Sequence, residues 1–483
     1  MEVFFLGKYI MGIDNGSQST KVSIFDFKGK EVAFGSCKLR DNLTPEPGVV
    51  IHPEDDLWDS VKMGIKNCLE NFDGNNNDII GIGLCTIRFC RVLLKKDGTL
   101  AYPIISWMDA RMNAPYKHED DNVAYVTSTT GYISNRLTGE FSESASMLEA
   151  GWPLDLEKLK WSDDDEVFRA HGLTRDMVFD VVKPGESLGK LKLELAREFK
   201  LPSGLPIIAS ANDKAVEVLG SGVNKETSVM ISLGTFISAM LYRDTSYQGS
   251  PPSSFWQTLA CVPHKYVYES NGIRRGMWTV SWLKSILGSE IAILAENLGV
   301  SPEDYLNEQA KRVPAGSDGL ITILDWLATP SEPFRKGIMI GFDQRHTKFH
   351  MYRSIIEAIA FAIKNNVCDM VDEAGAHLDE IVVIGGGSKS DLLMQILADQ
   401  FNLPVIQREG SSCGALGAAI CVAIYAEIYK TFEEAANQMV RTKHTFKPDA
   451  SKHKLYDKIN NEVVKNVRIH TDEVLKNAYP IFN

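Results

Sequence analysis

The feature that most constrains this chain is a pattern used twice. A short apolar strand stops at a turn of small residues and reverses into a second strand. The first copy is YIMGIDNGSQSTKVSIFDF at residues 9–27, and the second is TSVMISLGTFISAML at residues 227–241. A lone hairpin is at best marginally stable in water, so each copy needs further strands and helices to cover it. Two copies this far apart call for two sheets, and 483 residues are enough for two large domains.

The segments around each hairpin supply those elements. After the first comes EVAFGSCKL, the third strand of a meander over residues 9–39. A helix then opens at Pro53, with Glu54, Asp55 and Asp56 in its first turn and an apolar stripe of Leu57, Val61, Ile65, Cys68 and Phe72. DIIGIGLCTI reads as a buried strand. Residues 205–210 form another, with a helix opening at 214–219, and EIVVIGGGSKSDLLMQILADQ reads as strand, glycine turn and helix. The turn-rich stretch DTSYQGSPPSS sets the expected boundary, with one domain over 8–243 and the other over 252–483.

A net charge of −12 repels nucleic acid and anionic membranes, so neither is expected as a partner. An anionic ligand would need local amides, cations or a metal to offset that field. The eight cysteines form no CxxC pair and have no zinc-site spacing with histidine, which favours reduced thiols and a cytoplasmic location. The apolar start, MEVFFLGKYIMGID, is interrupted by Lys8 and too short for a signal peptide, and the apolar helix at 415–426 is too short to span a bilayer.

Four places carry chemistry. In MGIDNGSQSTK the strand ends on Asp14, and Gly16, Ser17, Ser19 and Thr20 offer backbone amides and hydroxyls of the kind that cradle phosphate. Asp14 is placed to hold magnesium through water, and Lys21 points either to phosphates or to solvent. An ordinary hairpin with a capping Asp is the competing reading, and no Walker A string occurs. In ASANDKAVEV, Asp213 sits where a strand gives way to a helix, whose N-terminus favours an ionised carboxylate able to accept a hydroxyl proton. A plain helix N-cap is the alternative there. Gly234 and Thr235 form a second donor-bearing turn. Gly385, Gly386 and Gly387 leave room for a flat ring beside a helix N-terminus, without Rossmann spacing.

The order of acid-bearing turn, candidate base, second turn and glycine loop resembles the FGGY family of carbohydrate kinases over nearly the whole chain. ISWMDAR, YISNRLTGE, RKGIMIGF, HTKFHMYRSIIEAIAFAI and EGSSCGALGAAICVAIY add to the likeness. The resemblance implies an α/β fold of two actin-like (ribonuclease H-like) domains, each with a central mixed sheet and flanking helices, and an active site in the cleft between them. It implies ATP and Mg2+ as cofactors, a small sugar or polyol as substrate, and a homodimer as one available assembly. By position, Asp213 matches the catalytic base, and Asp14 with Asp213 the carboxylates near the metal. Gly16, Ser17, Ser19, Thr20, Lys21, Gly234 and Thr235 match the phosphate loops. Gly386, Gly387 and Ser390 match the adenosine loop. Arg88, Phe89, Trp107 and Asp109, with Asp213, fall on the substrate side. Gly414, Gly417 and Ala418 give the late helix a small face that packs closely behind the nucleotide.

The chain also departs from the family. The stretch MNAPYKHEDDNVAYVTSTTG after Arg111 is shorter than in most members. Phe89 stands where glycerol kinases usually carry Glu and xylulokinases His, and Lys214 directly follows the candidate base. A neutral ketose or polyol is the expected substrate class, with an aldonate as the alternative should Arg88, Arg91, Arg274, Arg275 and Lys214 converge. Surface placement is expected for the last four. A non-catalytic actin-like ATPase and a sugar-binding regulator are the alternatives of another class.

Overall fold

The computed structural model describes residues 8–149, 151–329 and 331–482; the segment 1–7 of the apolar start lies outside the described residues. The first sheet opens with the expected meander, β1 (Tyr9–Asn15), β2 (Ser19–Asp26) and β3 (Glu31–Lys38). Helix α1 (Asp56–Glu70) follows and buries Leu57, Val61, Ile65 and Cys68 against β2 and β3. Then come β4 (Ile79–Thr86), β5 (Ser187–Lys190) and β6 (Pro206–Asn212), and the sheet order is β5-β6-β4-β1-β2-β3. β1, β4 and β6 run parallel and end level with one another, Asn15 opposite Thr86 and Asn212 opposite Thr86. Helix α2 (Asp213–Gly220) leaves directly from β6.

The second sheet repeats the plan. β7 (Ser228–Leu233) and β8 (Ile237–Arg243) are antiparallel, β9 (Phe255–Leu259) and β10 (Tyr266–Ser270) extend that side, and β11 (Glu380–Ile384) pairs parallel to β7 on the other. β12 (Val405–Arg408) and β13 (Thr442–Phe446) complete the order β9-β10-β8-β7-β11-β12-β13. The stretch at 243–252, expected as the domain boundary, instead connects β8 to β9 within this one sheet. The hairpin assigned to the first domain therefore belongs to the second sheet, and the chain crosses between sheets at 221–227. Turn-forming composition looks the same in a loop inside a sheet and in a link between domains, and only strand pairing distinguishes them.

The outer face of the second sheet is covered by α3 (Lys348–Glu373) and α4 (Asp391–Phe401). Between the two sheets lies a shared core. Ile10, Cys85 and Ile208 come from the first sheet, and Met230, Met240, Val382 and Ile384 from the second. Val216 and Leu219 of α2 join them, as do Ala418, Ile420 and Val422 of α5 (Cys413–Tyr425). α5 belongs to the late part of the chain yet packs on β1, β4 and α2. Small residues permit this approach: a Cβ at Gly12 would lie 1.9 Å from the Ala415 carbonyl oxygen, and one at Gly83 2.0 Å from that of Ala418. Among the described residues no helix is long and apolar enough to cross a membrane.

Candidate active site

The level ends of β1, β4 and β6 place Asp14, Arg88 and Asp213 at one edge of the first sheet, where open α/β sheets commonly bind ligands. Asp14 is buried. Its Oδ2 accepts a hydrogen bond from Ser412 Oγ, the N-cap of α5, at 2.8 Å, and faces Lys21 Nζ at 3.6 Å. Gly414 makes room for it, because a Cβ there would sit 2.8 Å from the carboxyl carbon. Lys21, opposite Asp14 in the β1–β2 register, is therefore turned toward the acid, and Asp14 is the main cause of its raised pKa.

The first turn is closed by the Gly16 amide donating to the Ser19 carbonyl at 3.2 Å. Ser17 is exposed at its tip and Ser19 is half-buried. Thr20 differs from expectation. It is fully buried, bonded to Asn15 Nδ2 and Ser60 Oγ at 2.6 Å each, so its hydroxyl braces the turn from behind and does not face the cleft.

Asp213 is the first residue of α2 and not its cap. Asn212 caps the helix, its Oδ1 accepting from the Ala215 amide at 3.0 Å, which releases the Asp213 side chain toward the cleft. Asp213 Oδ1 accepts from the Lys214 amide at 3.0 Å and lies 3.5 Å from Arg88 Nε. The helix terminus does not settle its charge by itself. Burial pushes its pKa above the usual carboxylate range, Asp14 and Glu269 push the same way, and Arg88 and Lys214 oppose them.

Lys214 is not a surface residue. Its Nζ bonds Glu217 at 2.7 Å and reaches Ser232 Oγ of β7 at 3.3 Å, tying α2 to the strand that leads into the second turn. In that turn Gly234 is half-buried and Thr235 is exposed. The glycine loop packs directly against it, since a Cβ at Gly385 would lie 2.8 Å from the Leu233 carbonyl oxygen. Gly386 is open, with nothing within 4 Å of where its Cβ would be, and Gly387 is buried against Leu233 and Met277. Ser390 caps α4 through the Leu393 amide and donates to Asn307 Oδ1 at 2.7 Å.

On the other side of Asp213, Arg88 crosses to the second sheet. Its Nη2 donates to Glu269 Oε2 on β10 at 2.7 Å, and Glu269 Oε1 accepts from Ser238 Oγ at 2.8 Å. The guanidinium lies 4.7 Å from the Trp256 ring centre and 5.1 Å from that of Phe89. Its Nη1 is buried without a partner among the described residues. Phe89 takes a left-handed backbone, φ 58°, and is 41% exposed. Trp107 is exposed, but Asp109 is committed to the fold. Its side chain is fully buried and accepts from the Val50 and Arg111 amides and from the Arg111 guanidinium, leaving it nothing to offer a ligand.

The five cations considered for a sugar acid do not converge. Arg91 is buried and bonds the Ala114 carbonyl, Arg274 bonds that of Ala328, and Arg275 lies over Trp278. Only Arg88 and Lys214 adjoin Asp213, and each already has a carboxylate partner.

Several residues at the site escaped sequence reading. Glu149 Oε1 accepts from Asn212 Nδ2 at 2.8 Å and from Thr258 Oγ1 of β9 at 2.6 Å, and burial pushes its pKa up to about 7. Glu217, Ser238, Trp256 and Glu269 were also missed. Asn212 had a readable signal, as the residue just before a helix start. Glu217 lies within α2, and the others lie in strands and a loop with no local motif.

Comparison with known proteins identifies the fold and the family. The FGGY carbohydrate kinase N-terminal domain matches residues 9–118 and 113–220, and the C-terminal domain residues 229–426. A protein described as the uncharacterized sugar kinase YgcE of Escherichia coli (strain K12) is 43% identical over 476 residues, covering 99% of this chain and 96% of its own. Crystal structures of a ligand-bound xylulose kinase and of a gluconate kinase, both from Lactobacillus acidophilus, each superpose with a TM-score of 0.81 at 21% identity, covering 96% of this chain and 98% of theirs. The fold is two actin-like domains, and the family match sets the class, a phosphotransferase with an alcohol group as acceptor. Within that class, the chain belongs to the FGGY family of carbohydrate kinases.

Proposed function

We propose that this kinase transfers the γ-phosphate of ATP to a hydroxyl of a small neutral sugar or polyol, with Asp213 accepting the hydroxyl proton. The observation that carries the reading is the pairing of Asp14 and Asp213 at one sheet edge, close enough for the charge of the first to raise the pKa of the second. A carboxylate with a raised pKa that does not cap its helix is a better proton acceptor than one that does. Phosphoryl transfer otherwise needs mainly positioning and charge neutralisation.

Gly16, Ser17, Ser19 and Lys21 on one side and Gly234 and Thr235 on the other are the groups we assign to the phosphates. Gly386, Gly387 and Ser390 are assigned to the nucleoside. The donor set fits a hydrated magnesium ion. Among the described residues both contacts of Asp14 fall on Oδ2, leaving Oδ1 without a partner, and no group of three or more His, Cys, Asp and Glu gathers into a cage. Bound near Asp14 and Asp213, the ion would neutralise phosphate charge. A cytoplasmic location goes with this reading, because the reaction draws on ATP.

The charge around Asp213 supports a neutral acceptor over an aldonate. Asp14, Glu149, Glu217 and Glu269 surround it, against Lys21, Arg88 and Lys214, and the last two are already paired. A carboxylated substrate would meet more repulsion than attraction there. The test is ADP release over ketopentoses, ketohexoses, polyols and aldonates. Turnover that depends on a neutral polyhydroxy acceptor is expected; ATP hydrolysis indifferent to every acceptor overturns the reading.

A further inference from the structure

We propose that Glu149 is a specificity-determining residue that accepts a hydrogen bond from an acceptor hydroxyl and turns away carboxylated analogues. This rests on the reading of the site as a sugar or polyol kinase and assigns one of its substrate contacts.

The argument begins with how the side chain is held. Glu149 is buried where the two sheets meet, next to Leu259 of the second sheet's β9 packed on Ala145 and Leu159. Asn212 of β6 and Thr258 of β9 both donate to the same oxygen, Oε1, so one group from each sheet fixes the carboxylate. Among the described residues none donates a hydrogen bond to Oε2. A carboxylate anchored through one oxygen has its other oxygen presented in a fixed direction, as a binding group requires.

Its surroundings indicate what it would bind. Asn212 immediately precedes Asp213, and the charges of Arg88, Glu269 and Asp213 all act on Glu149. Arg88 Nη1, buried and unpartnered, belongs to the same cluster. The described residues thus leave one acceptor and one donor unsatisfied beside Asp213. A hydroxyl satisfies both kinds of group, donating to Glu149 Oε2 or accepting from Arg88 Nη1, and a vicinal diol satisfies both at once. A carboxylate can only accept, and would face Glu149, Glu269 and Asp213 together. Phe89 offers no hydrogen bond, so this side of the cleft obtains its acceptor from Glu149.

Calorimetric binding of the same sugar, polyol and aldonate panel tests this without relying on turnover. The variant Glu149→Gln keeps a carbonyl oxygen for Asn212 and Thr258 but removes the acceptor at Oε2. It is expected to bind the best neutral acceptor at least about tenfold more weakly, with affinity for a non-hydrolysable ATP analogue within about twofold of wild type and a narrowed preference for neutral over carboxylated ligands. Thr258→Val, which loosens the carboxylate without removing it, should give a smaller loss of the same sign. Acceptor affinity unchanged in Glu149→Gln, or an equal loss of affinity for the ATP analogue, overturns the proposal. Wild-type protein that binds no panel member overturns the sugar-kinase reading itself, a result visible before any variant is made.

Discussion

The two turns assigned above to the phosphates have the same topology and opposite chemistry. Each joins the first two antiparallel strands of its sheet, and each has a parallel strand on its other side. The first carries Asp14 and Lys21, is braced by Asn15, Thr20 and Ser60, and is backed by α5 through Gly12 and Gly414. The second carries no ionisable side chain, and its Gly234, Thr235 and Phe236 are partly or fully exposed. One backbone plan thus yields a charged, tightly filled turn and a neutral, open one. The charge-handling groups collect on the first sheet, and the second contributes hydrogen-bond donors and the Glu269 partner of Arg88.

That asymmetry can be broken in order of expected effect. Asp213→Asn should lower kcat by about 10²–10⁴-fold with little change in ATP affinity, measured by steady-state ADP release; near-normal kcat removes Asp213 from proton transfer. Arg88→Ala should destabilise the fold by about 3 kcal/mol in urea titration, because it strands buried Glu269. Adding Glu269→Gln should recover part of that loss, and strict additivity would dissolve the link between the sheets.

Gly12→Ala, colliding with the Ala415 backbone, should cost about 1–3 kcal/mol. Gly234→Ala, whose Cβ would lie 3.3 Å from the Phe236 carbonyl oxygen, should cost less than about 1 kcal/mol. Equal thermal shifts in the two would erase the contrast between filled and open turns.

A separate effect is in pH. The folded-state pKa of Glu149 is raised, so its contribution to stability is present below the usual carboxylate range near 4.5 and is lost as pH rises to about 7. Stability should therefore fall over that window more in wild type than in Glu149→Gln. An identical pH profile for the two would mean that the carboxylate titrates normally.

Much of this arrangement could be read locally. Asp14, Gly16 and the strand alternation around them mark the first hairpin, and Asn212–Asp213 at a strand-to-helix junction marks the second acid. Side-chain fates at the same places could not be read. Thr20 looks like a phosphate donor and braces the turn instead, Asp109 looks like a ligand group and caps a short turn, and Lys214 looks like a surface lysine and is an ion-paired bridge. Each depends on partners such as Ser60, Val50 and Ser232, which come from other elements.

By itself, then, the sequence determined the two hairpins, the acids Asp14 and Asp213 at two strand ends and the family, because strand periodicity, turn chemistry and capping act over a few neighbouring residues. Tertiary structure alone decided which sheet the second hairpin joins, and that Glu149, Glu269 and Trp256 stand beside Asp213. Strand pairing and ion pairing between distant segments are set by packing in three dimensions, and no local pattern of residues encodes them.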